Sequence, residues 1–126
     1  MKLKLSNLSC EDLVDTGSWR DKQDPGLTFT LGKHSFKTKR QQDSGTAAVF
    51  PEIWELDISD NDLKDNDLQV ECLNIGLLGS GTHIGVGSIS IKHLLDGNEW
   101  NKTHKLNIEL THKGKKKVIR QGKVNF

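Results

Sequence analysis

Residues 24–40 have the sequence DPGLTFTLGKHSFKTKR, and the pattern within this stretch indicates two neighbouring strands. Leu27, Phe29 and Leu31 alternate with threonines, which is the two-residue period of a strand with one buried face. Gly32 begins a turn, because glycine adopts the positive φ that tight hairpins require. The stretch therefore predicts a β-hairpin with an acidic corner before its first strand and a cation-rich second strand.

The same two-residue alternation recurs in short segments elsewhere. It predicts further strands at residues 2–8, 53–58, 68–74, 84–91, 105–110 and 118–126. Turn-forming residues dominate the segments that we expect to be loops, at 9–23, 41–50, 60–67 and 75–83, with a helical turn at 93–95. Together with the hairpin, this gives eight short strands and almost no helical periodicity. We therefore predict an all-β fold, an eight-stranded antiparallel Greek-key β-sandwich.

The length and composition agree with one small domain. A chain of 126 residues is long enough to bury a real core as a single domain, residues 1–126. Its hydrophobic content of 33% favours a two-layer sandwich with solvated outer faces over a doubly covered sheet. There is no signal-peptide pattern and no run of transmembrane length, and two cysteines are too few for a disulfide scaffold. We therefore expect a soluble, cytoplasmic protein.

Charge is segregated along the chain, although the formal net charge is only +1. Residues 1–40 carry eight Lys or Arg against five Asp or Glu, residues 41–100 carry two against eleven, and residues 101–126 carry eight against one. Such segregation can place acidic and basic fields on different faces, which matters for binding more than for folding. Solvated strand faces and loops would give the same pattern, so charge alone does not establish a partner.

The motifs of common enzymes are missing or incomplete. Gly79, Gly81 and Gly85 differ from the dinucleotide-binding fingerprint by one residue, and they precede a strand instead of a helix. The five histidines show no metal-ligand spacing, and there is no Gly-x-Ser-x-Gly nucleophile elbow. We therefore do not expect an enzyme.

Several short motifs occur in the order and spacing of a known family. They are an opening strand within Leu3–Leu13, Asp24-Pro25, Leu31-Gly32 with Lys37-Thr38, Pro51–Glu55, Leu68–Cys72, Ile84-Gly85, and Trp100 with Leu106. Together they resemble a C2 domain over the whole chain, although Gly26 stands where the family has an aromatic residue after Asp-Pro. The resemblance implies a β-sandwich that binds phospholipid, often through calcium held by aspartates in loops at one tip. The chain resembles the circularly permuted topology seen in phospholipases.

Calcium requires six to eight oxygen ligands, several of them carboxylates, around one point. On the C2 resemblance, the first loop could supply Asp24 together with Asp15 or Asp21. The aspartates that the family carries at the end of a later strand fall on Cys72 and Asn74, and neither is a carboxylate. The residual aspartates would hold one weak ion at most. We therefore expect no cofactor and no calcium dependence, with Asp24 acting as a turn former.

Apolar residues lie in the loops that the resemblance brings to the tip. Trp19 belongs to the first loop, and Leu77 and Leu78 belong to the third. Exposed Trp and Leu side chains at a loop apex would suit insertion into a lipid headgroup layer. Alternatively, the same side chains fold back and cap the core.

The second strand of the hairpin carries the cations Lys33, Lys37, Lys39 and Arg40. The three lysines have the same parity, so we expect them on one outward face. In C2 domains the corresponding strand carries a lysine cluster for anionic headgroups, and each cation near an anionic bilayer contributes about 1 kcal/mol. Nucleic acid is not expected as a partner, because no aromatic stacking platform accompanies these charges.

These features lead to two hypotheses about function. The first is a calcium-independent membrane-targeting module that binds anionic phospholipid peripherally through these four cations, helped by the apolar tip. The alternative is a protein–protein interaction adaptor that binds a partner through a sandwich edge or through the acidic segment 57–67, with no lipid or calcium binding.

Overall fold

The structure is a computed structural model of the chain, and it describes residues 2–13, 22–76, 81–95, 103–112 and 115–125. Nine strand segments and two short helices are found within these ranges. They are β1 (Lys2–Glu11), β2 (Pro25–Leu31), β3 (His34–Lys37), β4 (Ala48–Phe50), β5 (Trp54–Asp57), α1 (Asp60–Asp65), β6 (Leu68–Ile75), β7 (Gly81–Ile89), a 3-10 helix (Lys92–Leu95), β8 (His104–His112) and β9 (Lys115–Asn125). Neither helix is long and apolar enough to cross a membrane.

The strands form two antiparallel sheets joined along one side. One sheet has the order β3-β2-β6-β7, and the other has the order β8-β9-β1 with β4 and β5 at its edge. The sheets meet where Val86 of β7 pairs with Thr111 of β8. A Cβ atom at Gly87 would collide with the backbone of Glu109, so this junction requires glycine. The all-β antiparallel sandwich is confirmed, whereas its permuted topology stays a prediction.

The core lies between the two sheets and is built by the alternating residues of each strand. The largest completely buried side chains among the described residues are Phe29, Phe50, Leu3, Leu5, Leu8, Leu27, Leu31, Leu63, Leu68, Ile84 and Ile91. In β1, Asn7 has a φ of 54°, and this irregularity allows Leu5 and Leu8 to face inward together. The predicted hairpin is present, with Gly32 at a φ of 59° in its turn.

All four segments that were expected to be loops contain some regular structure, and β1 extends into the first of them as far as Glu11. Residues 48–50 form β4, because Ala48 and Phe50 pair with β1 and face the core. This strand and β5 both pair with the same edge of β1, so one edge strand is divided into two. Residues 60–65 form α1, since the Ser59 hydroxyl accepts the N–H of Asp62 at 3.1 Å as an N-cap. The loop prediction for 75–83 is also wrong at its end, where β7 begins at Gly81.

Candidate functional site

The second strand of the hairpin presents its lysines to solvent. From residue 33 to residue 39, the odd-numbered residues are exposed, and the even-numbered residues are buried or half-buried. Lys33 lies in the turn, Lys37 ends β3, and Lys39 follows two residues later. Among the described residues, none of these lysines has an ion-pair partner. We call Lys33, Lys37 and Lys39 the lysine row.

Contacts on the opposite face hold the lysine row in place. The ring of Phe36 stacks on the ring of Trp54, with centroids 5.7 Å apart and planes 6° apart. Thr38 is buried, and its Oγ1 atom accepts the backbone N–H of Leu27 at 2.9 Å. The backbone N–H of Lys39 donates to a carboxylate oxygen of Glu52. These contacts fix which residues near the end of β3 point inward, so Lys37 and Lys39 point outward.

The outer face of the sheet continues from Lys37 across β2 and β6 to β7. Lys37 pairs with Thr28, Thr28 pairs with Glu71, and Glu71 pairs with Val86. The side chain of Val86 is 47% exposed. The carboxylate of Glu71 lies 3.1 Å from the Nδ1 atom of His83, and both side chains are less than half exposed. The lysine row therefore borders a mostly polar face, in which Glu71 lies two strands away from Lys37.

Arg40 has an environment unlike that of the lysines. Its guanidinium donates to the Oδ2 atom of Asp24 at 2.7 Å and to the carbonyl oxygen of Ile75 at 3.3 Å. The side chains of Arg40 and Asp24 are 26% and 17% exposed, respectively. Because its charge is paired and largely covered, Arg40 acts as a cross-link at the corner of the hairpin and adds little to the exposed cationic surface.

Asp24 is held by hydrogen bonds to three parts of the chain. Its Oδ1 atom accepts the backbone N–H of Asp43 at 2.7 Å. Its own N–H donates to the Oδ1 atom of Asn74 at 2.8 Å, and its carbonyl oxygen accepts the N–H of Ile75 at 3.0 Å. These bonds tie the start of β2 to the end of β6 and to the loop before β4. Asp24 therefore joins these parts of the chain at the corner before β2, in addition to forming a turn.

This corner does not fit a calcium ion. Both carboxylate oxygens of Asp24 are engaged, and the amide oxygen of Asn74 already accepts a backbone N–H. The guanidinium of Arg40 would repel a divalent cation from the same carboxylate. Across the described part of the chain, no group of three or more His, Cys, Asp or Glu is placed to hold a metal ion. The other predicted candidates, Asp15 and Asp21, lie outside the described residues.

A family model matches the sequence of the chain, and solved structures share its fold. The family model for the C2 domain matches residues 1–106. The chain belongs to the C2 domain family. The resemblance that the short motifs indicate is therefore confirmed. Among curated protein sequences, none matches the chain.

Solved structures have the same sandwich at low sequence identity. A C2 domain of plant extended synaptotagmin 1 is 12% identical, with a TM-score of 0.80 over 98% of this chain and 92% of that chain. A structure described as a C2 domain is 16% identical, with a TM-score of 0.71 over 100% of this chain and 99% of that chain. Human GIVD cytosolic phospholipase A2 is 16% identical, with a TM-score of 0.73 over 98% of this chain but 16% of that chain. Identities this low establish the fold and transfer no residue role.

The predicted apolar tip falls in parts of the chain that the structure does not describe. Trp19, Leu77 and Leu78, which were expected to insert into a headgroup layer, lie outside the described residues. Among the described residues, Asp24 is joined to Asn74 and Ile75 where β2 begins and β6 ends.

A second exposed surface lies along the divided edge strand of the C2 domain. Val49 in β4 is 73% exposed, and Ile53 before β5 is 53% exposed. Acidic residues follow directly, in β5 and α1: Glu55, Asp57, Asp60, Asp62 and Asp65. Sequence reasoning missed Val49 because it placed residues 41–50 in a loop, although the apolar triplet at 48–50 was a local signal for a strand. We call Val49 and Ile53 the apolar edge.

Proposed function

We propose that this C2 domain is a non-catalytic, calcium-independent module that targets anionic phospholipid membranes through the lysine row. Membership of the C2 family supports membrane targeting in general. The observation that carries the finer proposal is the exposure of three alternate lysines with no ion-pair partner among the described residues. We expect the protein to be cytoplasmic and to associate with the membrane surface peripherally.

The spacing of the lysine row supports contact with several headgroups at once. Lys33 and Lys39 are six residues apart, which corresponds to roughly 20 Å along an extended chain. Three cations near an anionic bilayer would contribute about 3 kcal/mol, or roughly a hundredfold in affinity. Binding of this kind depends on charge and weakens with salt, because the lysines are exposed and screened by counterions.

The corner at Asp24 supports independence from calcium. A guanidinium is permanently charged and carries several hydrogen-bond donors in a fixed geometry. In this chain the guanidinium of Arg40 contacts both Asp24 and the carbonyl oxygen of Ile75. The protein therefore supplies its own cation where the end of β6 meets the start of β2. A divalent ion would have to displace this cross-link before it reached the Asp24 carboxylate.

Vesicle sedimentation tests the proposal. The protein is mixed with phosphatidylcholine vesicles, with and without phosphatidylserine, in the presence of calcium or of a chelator. We expect pelleting only with phosphatidylserine, to the same extent with calcium and with chelator, and a large loss of pelleting at high salt. Failure to pellet under every condition would contradict the membrane function. Pelleting that requires calcium would contradict calcium independence, and equal pelleting on pure phosphatidylcholine would contradict an electrostatic site.

The apolar edge favours a second candidate function, which is a protein–protein adaptor. Exposed apolar side chains on an edge strand can add a strand from a partner or bury a hydrophobic face. The double substitution Val49→Lys with Ile53→Lys tests this function by affinity capture. A partner that is retained by the wild-type domain and by a lysine-row variant, but lost by the edge variant, would support the adaptor. A partner that is retained by all three proteins would contradict it.

A further inference from the structure

Two histidines that are separate in the sequence lie side by side in the fold. His93 belongs to the 3-10 helix, and His104 begins β8. The centroids of their rings are 6.5 Å apart, and the ring planes are 88° apart. His93 is exposed, and His104 is half-buried. The histidines show no metal-ligand spacing along the sequence, so it is the fold that brings these two imidazoles together.

Buried residues close to each histidine hold the pair in place. Ile91, two residues before His93, is completely buried, and Leu106, two residues after His104, belongs to the core. The backbone of His104 also pairs with Val124 of β9. The two imidazoles are therefore attached to ordered parts of the fold, and their exposure makes them accessible to an ion from solvent.

We propose that His93 and His104 form a binding site for a divalent transition-metal ion of the zinc and copper class. Imidazole nitrogen is a preferred ligand of these metals, whereas calcium and magnesium prefer oxygen ligands. Two water molecules would complete the tetrahedral coordination of a zinc ion. The site is separate from the lysine row and does not depend on membrane binding.

The separation of the two rings is close to the separation that a shared ion requires. A zinc–nitrogen distance of about 2.0–2.1 Å places the centroids of two imidazoles on one tetrahedral ion roughly 5 Å apart. The observed separation is larger by roughly 1.5 Å. Because the His93 side chain is exposed, rotation about its own bonds can close this gap.

Charged residues near the pair have opposing effects on a bound cation. Helix α1, which carries Asp60, Asp62 and Asp65, contacts the 3-10 helix. Its negative field raises the local concentration of cations. Lys92 and Lys105 are exposed and adjoin the two histidines in the sequence, so their charges oppose a cation. With two protein ligands and this balance of charge, we expect zinc to bind with micromolar affinity.

A bound ion would join the 3-10 helix to β8 and would therefore stabilise the folded domain. A ligand that binds only the folded protein raises its thermal midpoint by mass action. With free zinc at about ten times its dissociation constant, we expect a rise of about 4 °C for a domain of this size.

Isothermal titration with zinc chloride tests the proposal on the whole chain, without a histidine tag and after removal of metals by a chelator. We expect one zinc ion per chain. His93→Ala and His104→Ala should each weaken binding at least about tenfold, since each removes one of the two protein ligands. His34→Ala is the matched control, because His34 is also half-buried, and this variant should bind zinc like wild type.

Three outcomes of this titration would overturn the proposal. They are a wild-type chain that binds no zinc, His93→Ala and His104→Ala variants that bind zinc as tightly as wild type, and calcium chloride that competes equally for the site. His83 is a competing candidate, because its Nδ1 atom lies 3.1 Å from a carboxylate oxygen of Glu71. Loss of zinc binding in His83→Ala, with binding retained in the other two variants, would move the site there and overturn the proposal.

Chemical protection of the wild-type chain gives a second measurement that does not depend on the folding of a variant. Diethyl pyrocarbonate modifies accessible imidazoles, and mass spectrometry of peptides locates each modified histidine. Saturating zinc chloride should slow the modification of His93 and His104 severalfold and leave that of His34 unchanged. Equal rates of modification at His93 and His104 with and without zinc would overturn the proposal.

Discussion

The odd-numbered and even-numbered residues of segment 33–40 occupy two different environments along one piece of chain. The odd-numbered residues are exposed, and three of the four are the lysines of the lysine row. The even-numbered residues contact the protein: Phe36 stacks on Trp54, Thr38 accepts the N–H of Leu27, and Arg40 is paired with Asp24. Lys39 and Arg40 are adjacent cations, yet Lys39 is exposed to solvent, whereas Arg40 forms an ion pair with Asp24.

This contrast indicates that binding and stability are assigned to alternate residues of the same strand. The two-residue period sends neighbouring side chains to opposite faces, so a cation's role depends on its parity as much as on its charge. Substitutions of the three odd-numbered lysines should therefore change membrane affinity and leave stability unchanged. Substitutions at even-numbered positions should do the reverse, and the following four experiments test this separation.

The largest effect is expected from removing the lysine row. Replacing Lys33, Lys37 and Lys39 by Gln should lower the affinity for vesicles that contain phosphatidylserine by roughly a hundredfold, at about 1 kcal/mol per cation. The free energy of unfolding should stay within about 0.5 kcal/mol of wild type, since the side chains are exposed. Quantitative sedimentation and urea denaturation measure the two quantities.

A control variant with the same net charge distinguishes the effect of the lysine row on affinity from the effect of overall charge. Lys2, Lys92 and Lys105 are also exposed, and they lie outside the hairpin. Replacing these three by Gln gives the same net charge as the lysine-row variant. We expect this control to lose less than about fivefold in affinity, because distant charges are screened. Equal losses in the two variants would mean that overall charge, and not the lysine row, governs binding.

Removing the aromatic ring at position 36 should give the next largest effect, on stability alone. Phe36→Ala deletes the ring that stacks on Trp54 and packs against the core, which we expect to cost about 2.5 kcal/mol of unfolding free energy. The exposed neighbour Ser35, replaced by Ala, should change stability by less than about 0.5 kcal/mol. Vesicle affinity should be unchanged in both variants. A Phe36→Ala protein that is as stable as wild type would show that the even-numbered face is not packed as described.

The Arg40 experiment addresses the residue on which sequence and structure differ most. Arg40→Gln breaks a largely covered ion pair, so we expect a loss of about 2 kcal/mol in unfolding free energy. Adding Asp24→Asn should cost less than in the wild-type background, because the two residues are coupled. Vesicle affinity should fall less than about threefold. A tenfold loss of affinity would instead indicate that Arg40 binds lipid together with the lysines.

Sequence reasoning recovered the hairpin and the lysine row because both depend on local alternation. The residues that face the core in β2, Leu27, Phe29 and Leu31, are those that the period of two selects. The pairing of Asp24 with Arg40 is not local, yet the hairpin register carried a signal for it. Phe29 pairs with Phe36, and continuing that pairing toward the ends of the hairpin brings residue 24 close to residue 40.

Other features depend on partners far away in the sequence or on very short elements. The three residues of β4 are a strand because they pair with β1, about forty positions earlier, and the apolar triplet at 48–50 is a short local signal inside a turn-rich segment. Helix α1 has a cap at Ser59 and acidic residues in its first turn, but six residues with Leu63 as the one buried side chain show no helical period.

The smallest of the four effects concerns a single hydrogen bond at Thr38. Thr38→Val keeps the shape of the side chain and removes the Oγ1 atom that accepts the N–H of Leu27 at 2.9 Å. Both residues are buried, so the orphaned N–H should cost about 1 kcal/mol of unfolding free energy, which urea denaturation can measure. Thr38→Ser retains the hydroxyl and should keep this bond, whereas Thr30→Val, on the outer face, removes no bond of this kind. A Thr38→Val protein as stable as wild type would contradict a net stabilising contribution from this hydrogen bond. The assignment of stability to the even-numbered residues of segment 33–40 would then be supported by Phe36 and Arg40 alone.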